Sequence, residues 1–239
     1  LTVNGQSATF VFVDATEGWI NVQETQTSQT GTSPYIVASG GTESTVGDFK
    51  VHTFTGPGTF EVCQAGTAAP SSGSGSNAVE YIVIGGGGSG GRGFYGGGGG
   101  AGGFRFASSS LAPATYPAKP LAGPADLSVP ATSYPIVVGA GGGAQPTSSQ
   151  NPGSLSSFST ITSAGGGAGG NRSAPTTNQS GADGGSGGGH SNDGSATFGS
   201  GNIPATSPAQ GTNGGSYFGG GGGGGISAGL TPPSGAGGG

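Results

Sequence analysis

The chain has 239 residues, of which only 6% are charged, and it carries a net charge of −5. Its five Lys and Arg residues are scattered, so we expect no basic patch and no binding to nucleic acid or to an anionic membrane surface. No apolar run approaches the roughly 20 residues of a membrane span, which argues against membrane insertion.

Residues 1–66 are predicted to form a small antiparallel β module, with a candidate division near 30–48. Since the chain begins with Leu1 rather than Met, we expect a piece of a longer protein. Alternating apolar residues indicate strands at 8–13 and 19–23. "PYIVAS" indicates another strand, and "TGPG" indicates the turn of a hairpin that joins 51–55 to 59–62.

Two features of side-chain patterning complete the prediction for this module. Cys63, the single cysteine, lies in "GTFEVCQ" and is interpreted as a buried strand residue rather than a reactive thiol. No ten-residue segment of the chain shows a 3.6-residue apolar period, so little or no α-helix is expected.

A Ser/Gly/Pro-rich linker is predicted at 67–78, followed by a glycine-rich domain at 79–239. The whole chain contains 60 Gly and 16 Pro, a composition for which disorder is the default expectation. However, "VEYIVIGGGG" and "YPIVVGAGGG" run β-branched residues directly into glycine, which favours a packed start to each run. The runs lie at 85–91, 96–103, 139–143, 165–170, 184–189, 219–225 and 235–239.

Glycine runs of this kind have a folded solution in the polyglycine II helix, which has three residues per turn and no internal hydrogen bonds. Packed side by side, such helices can pair their N–H and C=O groups with one another, so the buried backbone is satisfied. The fold class predicted is therefore all-β plus a polyglycine II helix bundle. Loops rich in Ser, Thr, Asn and Pro are expected at 104–138, 144–164, 171–183, 190–218 and 226–234.

The sequence contains only weak motifs for metal binding, catalysis or phosphate binding. Asp183, His190 and Asp193 cluster in "GADGGSGGGHSNDG", which makes them a candidate metal site, with a solvated loop as the favoured alternative. No carboxylate pair or Ser-His-Asp arrangement indicates catalysis, and the glycine runs are not followed by the helix that phosphate binding needs. We expect a protein that is not an enzyme and that has no cofactor.

Several quoted motifs resemble a known family. "TFTGPGTFEV", "VEYIVIGGGGSGGRG", "GGGGGAGGF" and "YPIVVGAGGG", in this order over roughly 50–170, are similar to the glycine-rich domain of tailed-phage fibre and appendage proteins. The remaining runs resemble in architecture the adhesin tips of T-even-like phage long tail fibres, which implies polyglycine II helices whose distal loops bind the bacterial surface. "VNGQSATFVFVDATEGWINVQ" separately resembles a short β module of cyanophage virion proteins. The chain departs from the family in the longer segment "CQAGTAAPSSGSGSN".

The resemblance implies a virion protein, a tail-fibre or appendage component that attaches to a bacterial receptor, either protein or glycan. Other virion subunits and a homotrimer are the implied partners. The candidate receptor-binding residues are loop aromatics, for which packing against the bundle edge is the alternative: Tyr116, Tyr134, Tyr217 and Phe218. Two other functions stay open, a purely structural capsid-surface or fibre protein and, less favoured, an ice-binding protein.

Overall fold

The computed structural model describes most of the chain. The described residues are 8–12, 19–24, 35–66, 77–108, 126–145, 149–172, 176–191, 196–216, 222–224 and 228–229. They form mainly antiparallel β-strands together with one four-residue helix, which confirms the expectation of little α-helix. Within this part of the chain, no helix is long and apolar enough to cross a membrane.

The strands and the helix are numbered in chain order. They are β1 (Ala8–Phe12), β2 (Trp19–Glu24), β3 (Val37–Ser39), β4 (Thr42–Val46), β5 (Phe49–Thr53), β6 (Gly58–Gln64), β7 (Ala78–Val79), β8 (Tyr81–Ile84), β9 (Phe104–Ala107), β10 (Leu127–Ser128), β11 (Ser133–Val137), β12 (Ser156–Phe158), β13 (Ile161–Ser163) and α1 (Thr176–Gln179). The predicted antiparallel pair near the N-terminus is confirmed as β1 and β2.

The largest sheet has five strands in the order β13-β12-β11-β6-β3, all paired antiparallel. Alternation along β6 turns Phe60 and Val62 inward, where they pack with Val129 and Tyr134 in the apolar core. The rings of Phe60 and Phe158 meet edge to face at 5.7 Å. A conventional core of side chains therefore sits on one face of this sheet.

Two predictions for this region are wrong. The hairpin between 51–55 and 59–62 does not form, because β5 pairs with β4 while β6 pairs with β3 and β11. Cys63 lies in β6 as predicted, but its side chain is exposed, since it alternates with the inward-facing Val62. Strand propensity correctly predicted that these residues lie in strands. It did not predict which strands pair, or on which face of the sheet each side chain lies.

The five-stranded sheet also crosses the predicted linker at 67–78. β3 and β6 precede that segment, whereas β11, β12 and β13 follow it. Two predicted loops, 104–138 and 144–164, contain the strands β9 to β13. Part of the sequence that was predicted as loops is thus strand.

The glycine segments are neither α-helix nor β-strand, and they bond to one another through the backbone. We name four of them: the first (85–91), the second (96–103), the third (164–170) and the fourth (186–191). The first and second continue the β8–β9 pair antiparallel, with hydrogen bonds at every third residue. N–H groups of Gly85, Gly88 and Gly91 donate to the carbonyls of Gly103, Gly100 and Gly97 at 2.9, 2.8 and 2.7 Å.

The same three-residue spacing links the other segments. Gly97, Gly100 and Gly103 donate from the second segment to Gly170, Gly167 and Ala164 of the third. Gly166 and Gly169 of the third donate to Gly86 and Ser89 of the first, and Gly167 and Gly170 donate to Ser186 and Gly189 of the fourth. Successive residues of one segment therefore bond to different neighbouring segments. The buried backbone groups are paired between segments of the same chain.

Close backbone approach explains why these segments are built from glycine. A methyl group added at Gly88 would overlap the carbonyl oxygen of Gly167, and one at Gly97 would overlap that of Gly189. At Gly87 the nearest atom would be 3.8 Å away, because this position faces outward. Gly88 and Gly97 therefore leave no room for a side chain, whereas Gly87 tolerates one.

Candidate functional site

The predicted receptor-binding aromatics separate into two groups. Tyr134 is buried in β11, where its hydroxyl donates a hydrogen bond to the carbonyl of Pro130 at 2.9 Å and its ring packs 5.9 Å from that of Phe158. It is therefore a core residue of the five-stranded sheet, and its ring is not exposed for contact with a receptor. Tyr116, Tyr217 and Phe218 lie outside the described residues.

The candidate metal ligands do not form a site within the described part of the chain. Asp183 is exposed, and its carboxylate accepts a hydrogen bond from the backbone N–H of Ser200 at 2.6 Å. His190 is buried in the fourth glycine segment. Asp193 lies outside the description, and no group of three or more His, Cys, Asp or Glu among the described residues could hold a metal ion.

An ordered loop at 202–210 projects from the end of the glycine segments nearest β8 and β9. The side-chain oxygen of Asn202 accepts hydrogen bonds from the N–H and hydroxyl of Thr206 and from the N–H of Gln210. Asn202 has a φ of 56°, a conformation that Asn tolerates better than most residues. Ile203 and Pro204 on the same loop are exposed.

Gln210 fastens this loop to the glycine segments. Its side chain is fully buried, with Oε1 accepting from the N–H of Ala164 at 2.7 Å and Nε2 donating to the carbonyl of Pro204 at 2.7 Å. Its own carbonyl accepts from Phe104. Through its side chain and its backbone carbonyl, Gln210 therefore joins the loop, the third glycine segment and β9.

A second exposed turn lies at the opposite end of the glycine segments. Residues 92–95 connect the first and second segments, and the N–H of Gly96 donates to the carbonyl of Gly93 at 3.1 Å. Asn171, which is buried, accepts a hydrogen bond from the N–H of Arg92 at 2.6 Å through its side-chain oxygen. The turn is thus fixed to the end of the third segment.

Ionisable groups are few in these surfaces. Burial raises the pKa of the Tyr81 hydroxyl above 10.0, against an opposing effect of nearby Arg105 and with a smaller contribution from Asp126.

A depression of about 230 Å³ lies beside the turn at 54–58, and no ionisable side chain lines it.

Comparison with known families adds one finding. A family model described as a glycine-rich domain matches residues 62–239, about three quarters of the chain. The chain belongs to this glycine-rich domain family. The match begins within β6, so the glycine-rich domain includes the end of that strand and all of β11, β12 and β13 in the five-stranded sheet. Neither the comparison with curated proteins nor that with solved structures gave a match.

Sequence reasoning missed the residues that hold the exposed parts of the glycine-rich domain in place. Asn171, Asn202 and Gln210 are amides that lie between glycine runs, and each satisfies backbone groups that a glycine segment cannot satisfy alone. Isolated Asn and Gln residues beside glycine runs were the available signal. They were interpreted only as typical loop composition.

Proposed function

We propose that the chain is a non-enzymatic component of a tailed-phage virion, part of a tail fibre or similar appendage, whose exposed loops attach the particle to the bacterial surface. The motif resemblance over roughly 50–170 supports the phage assignment. The observation that carries the attachment role is the fixed loop at 202–210, which is bonded internally through Asn202 and to the framework through Gln210. Loops held on a rigid framework are where recognition residues concentrate, and prior ordering lowers the entropy lost on binding.

In this proposal the glycine segments are polyglycine II helices packed into a bundle. Three observations support it: hydrogen bonds that recur at every third residue, bonding to several neighbouring segments, and positive-φ glycines that lie in turns rather than in the first and second segments. A helix with three residues per turn produces this spacing. A crystal structure should give φ near −75° and ψ near +145° in these segments. Dihedral angles of extended β-strands would contradict the helix.

Competition for adsorption tests the attachment role. Purified chain, added to host cells before particles that carry the same protein, should reduce particle adsorption. Chain in which 202–209 is replaced by a Gly/Ser sequence of equal length should compete less, because the loop is no longer ordered. The matched control replaces the exposed turn residues Gly47 and Asp48, which join β4 to β5. Failure of the unaltered chain to compete would overturn the attachment role.

A structural role within a fibre is the second candidate, and the β4–β5 ribbon favours it. Its two strands pair only with each other among the described strands, and one face carries exposed Val46, Phe49 and Val51. An apolar ribbon of this kind suits contact with neighbouring subunits, such as the other chains of a homotrimer. Sedimentation of the isolated chain should give a trimer, whereas a well-folded monomer would count against an obligate fibre assembly.

A further inference from the structure

The turn at 92–95 lies at the end of the glycine segments that is remote from the sheets. The Gly85–Gly103 hydrogen bond adjoins β8 and β9, while the Gly91–Gly97 bond adjoins the turn. The third segment runs parallel to the first, since Gly166 and Gly169 bond in order to Gly86 and Ser89. Residues 171–172 therefore reach the same end, and we call 92–95 with 171–172 the distal tip.

Backbone bonds hold the distal tip in one conformation. The side chain of Asn171 accepts from the N–H of Arg92, and the carbonyl of Arg92 accepts from the N–H of Arg172 at 2.9 Å. Gly93 has a φ of 92° and Tyr95 has a φ of 63°. A left-handed conformation is unfavourable for a bulky aromatic residue, and such strain persists only where the surroundings impose it.

The side chains of the distal tip other than Asn171 are exposed to solvent. Phe94 is 88% exposed, far more than Tyr95 at 42%. The guanidinium carbon of Arg172 lies 5.9 Å from the centre of the Tyr95 ring, within the range of a cation–π interaction. A rigid turn that exposes a phenyl ring almost completely has no evident role in packing.

The local charge of the distal tip is opposite to that of the chain. The net charge is −5, yet two of the five basic residues, Arg92 and Arg172, lie here. Residues 85–103 and 164–172, which form the first three glycine segments and the tip, contain no Asp or Glu. The tip is therefore a small cationic surface with two aromatic rings on an otherwise acidic protein.

We propose that Arg92, Phe94, Tyr95 and Arg172 bind an acidic polysaccharide of the bacterial surface, and this assignment rests on the proposed attachment role. Exposed aromatic rings offer apolar faces on which sugar rings can pack, and a guanidinium group binds carboxylate or phosphate through paired hydrogen bonds. Four side chains on a convex turn match one or two sugar units. A stable protein partner would need a face of about 800 Å².

Affinity electrophoresis of the whole chain tests the assignment. The probes cast in the gel are polygalacturonate for carboxylate, polyglycerol phosphate for phosphate and dextran as a neutral polysaccharide. At low salt, at least one anionic probe should retard the chain, and dextran should not. Retardation should weaken as salt rises, because the charged contacts are exposed. Absence of retardation by both anionic probes would overturn the assignment.

Two variants locate the site. Phe94→Ala and Arg172→Ala should each weaken binding about tenfold, as expected for central contacts of a small interface. The matched controls, Phe198→Ala and Arg105→Ala, remove an aromatic and a guanidinium group elsewhere on the surface and should bind as the unaltered chain does. Because Phe94 is so exposed, its truncation should leave thermal unfolding unchanged. Equal binding by tip variants and controls would overturn the site.

Adsorption assays distinguish this inference from the attachment role. If the unaltered chain competes with particles and Phe94→Ala competes equally, attachment stands and the distal tip is not the contact. If binding of the chain to cells is lost after protease treatment and survives periodate oxidation of sugars, the partner is a protein and the polysaccharide assignment is wrong. If the unaltered chain never competes, the attachment role itself fails.

Discussion

The five-stranded sheet and the glycine segments form their cores from different atoms. In the sheet, Phe60, Val62 and Tyr134 fill the interior, and the backbone serves to position them. In the glycine segments the interior consists of backbone, whose N–H and C=O groups pair between segments at every third residue. The hydrophobic effect contributes most to the stability of the sheet. In the glycine segments, the need to hydrogen-bond every buried N–H and C=O group determines how the segments pack.

This difference predicts opposite responses to mutation. The sheet should be sensitive to the loss of side-chain atoms, because a cavity removes packing contacts. The glycine segments should be sensitive to the gain of a single methyl group, because carbonyl oxygens of neighbouring segments occupy the space. Substitutions in each region can therefore separate the two kinds of core.

The largest effect is expected in the sheet. Phe60→Ala should lower the free energy of unfolding by about 3–5 kcal/mol, the usual cost of truncating a buried phenylalanine. Phe49→Ala removes the same ring from an exposed position on β5 and should cost far less. Chemical denaturation monitored by circular dichroism measures both variants. Equal losses would contradict the placement of the side-chain core.

A matched pair of neighbours tests the glycine segments. Gly88→Ala should destabilise the protein by about 3 kcal/mol, because its methyl group overlaps the carbonyl of Gly167. Gly87→Ala finds its nearest atom 3.8 Å away and should be neutral or slightly stabilising. Comparison of the two denaturation midpoints checks this expectation. If both variants have the same denaturation midpoint, the close approach of the Gly167 carbonyl to Gly88 is wrong.

The junction between the loop and the glycine segments gives a smaller effect. Gln210→Ala should cost about 2 kcal/mol, because the partly buried N–H of Ala164 and the carbonyl of Pro204 lose their partner. Ser207→Ala, an exposed change in the same loop, serves as the control. Thermal unfolding measures stability, and limited proteolysis should cut near 202–210 faster in Gln210→Ala. Unchanged cleavage would contradict the fastening role.

The smallest effect concerns pH. Burial raises the folded pKa of Tyr81 above its unfolded value of 10.0, so the neutral hydroxyl is favoured in the folded state. Its contribution is fully present below pH 10 and is lost as the pH rises through the folded pKa. Tyr81→Phe should therefore lose less stability between pH 9 and 11 than the unaltered chain. An equal loss of stability by Tyr81→Phe and the unaltered chain over this pH range would contradict the expectation.

Sequence patterns predicted which residues form strands better than they predicted which strands pair with each other. The alternation that indicated β1 and β2, and the β-branched residues that indicated β8 and β11, depend on neighbouring residues, so both could be recognised from the sequence. The pairing of β6 with β11 joins residues about 75 positions apart, and propensity carries no information on it. The short strands β12 and β13 lie in Ser/Thr-rich sequence without strong alternation, and they were predicted as loop.

The candidate site shows the same limit. Tyr134 was predicted as a loop aromatic, with packing against the bundle edge as the alternative, and the sheet buries it. Phe94 and Tyr95 lie between two glycine runs, at 85–91 and 96–103. Their exposure and the approach of Arg172 depend on the parallel course of the first and third segments, which involves residues about 80 positions apart. Only the folded arrangement brings these residues together.

Hydrogen exchange of the glycine amides tests the central claim most directly. In uniformly ¹⁵N-labelled protein, the amides of Gly88, Gly100, Gly167 and Gly189 donate bonds between segments and should exchange as slowly as core amides of β6. In the third segment, protection of Gly166, Gly167, Gly169 and Gly170 would match the observed bonding. Exchange of these amides at the rate of an unstructured peptide would show that the glycine segments are not a core.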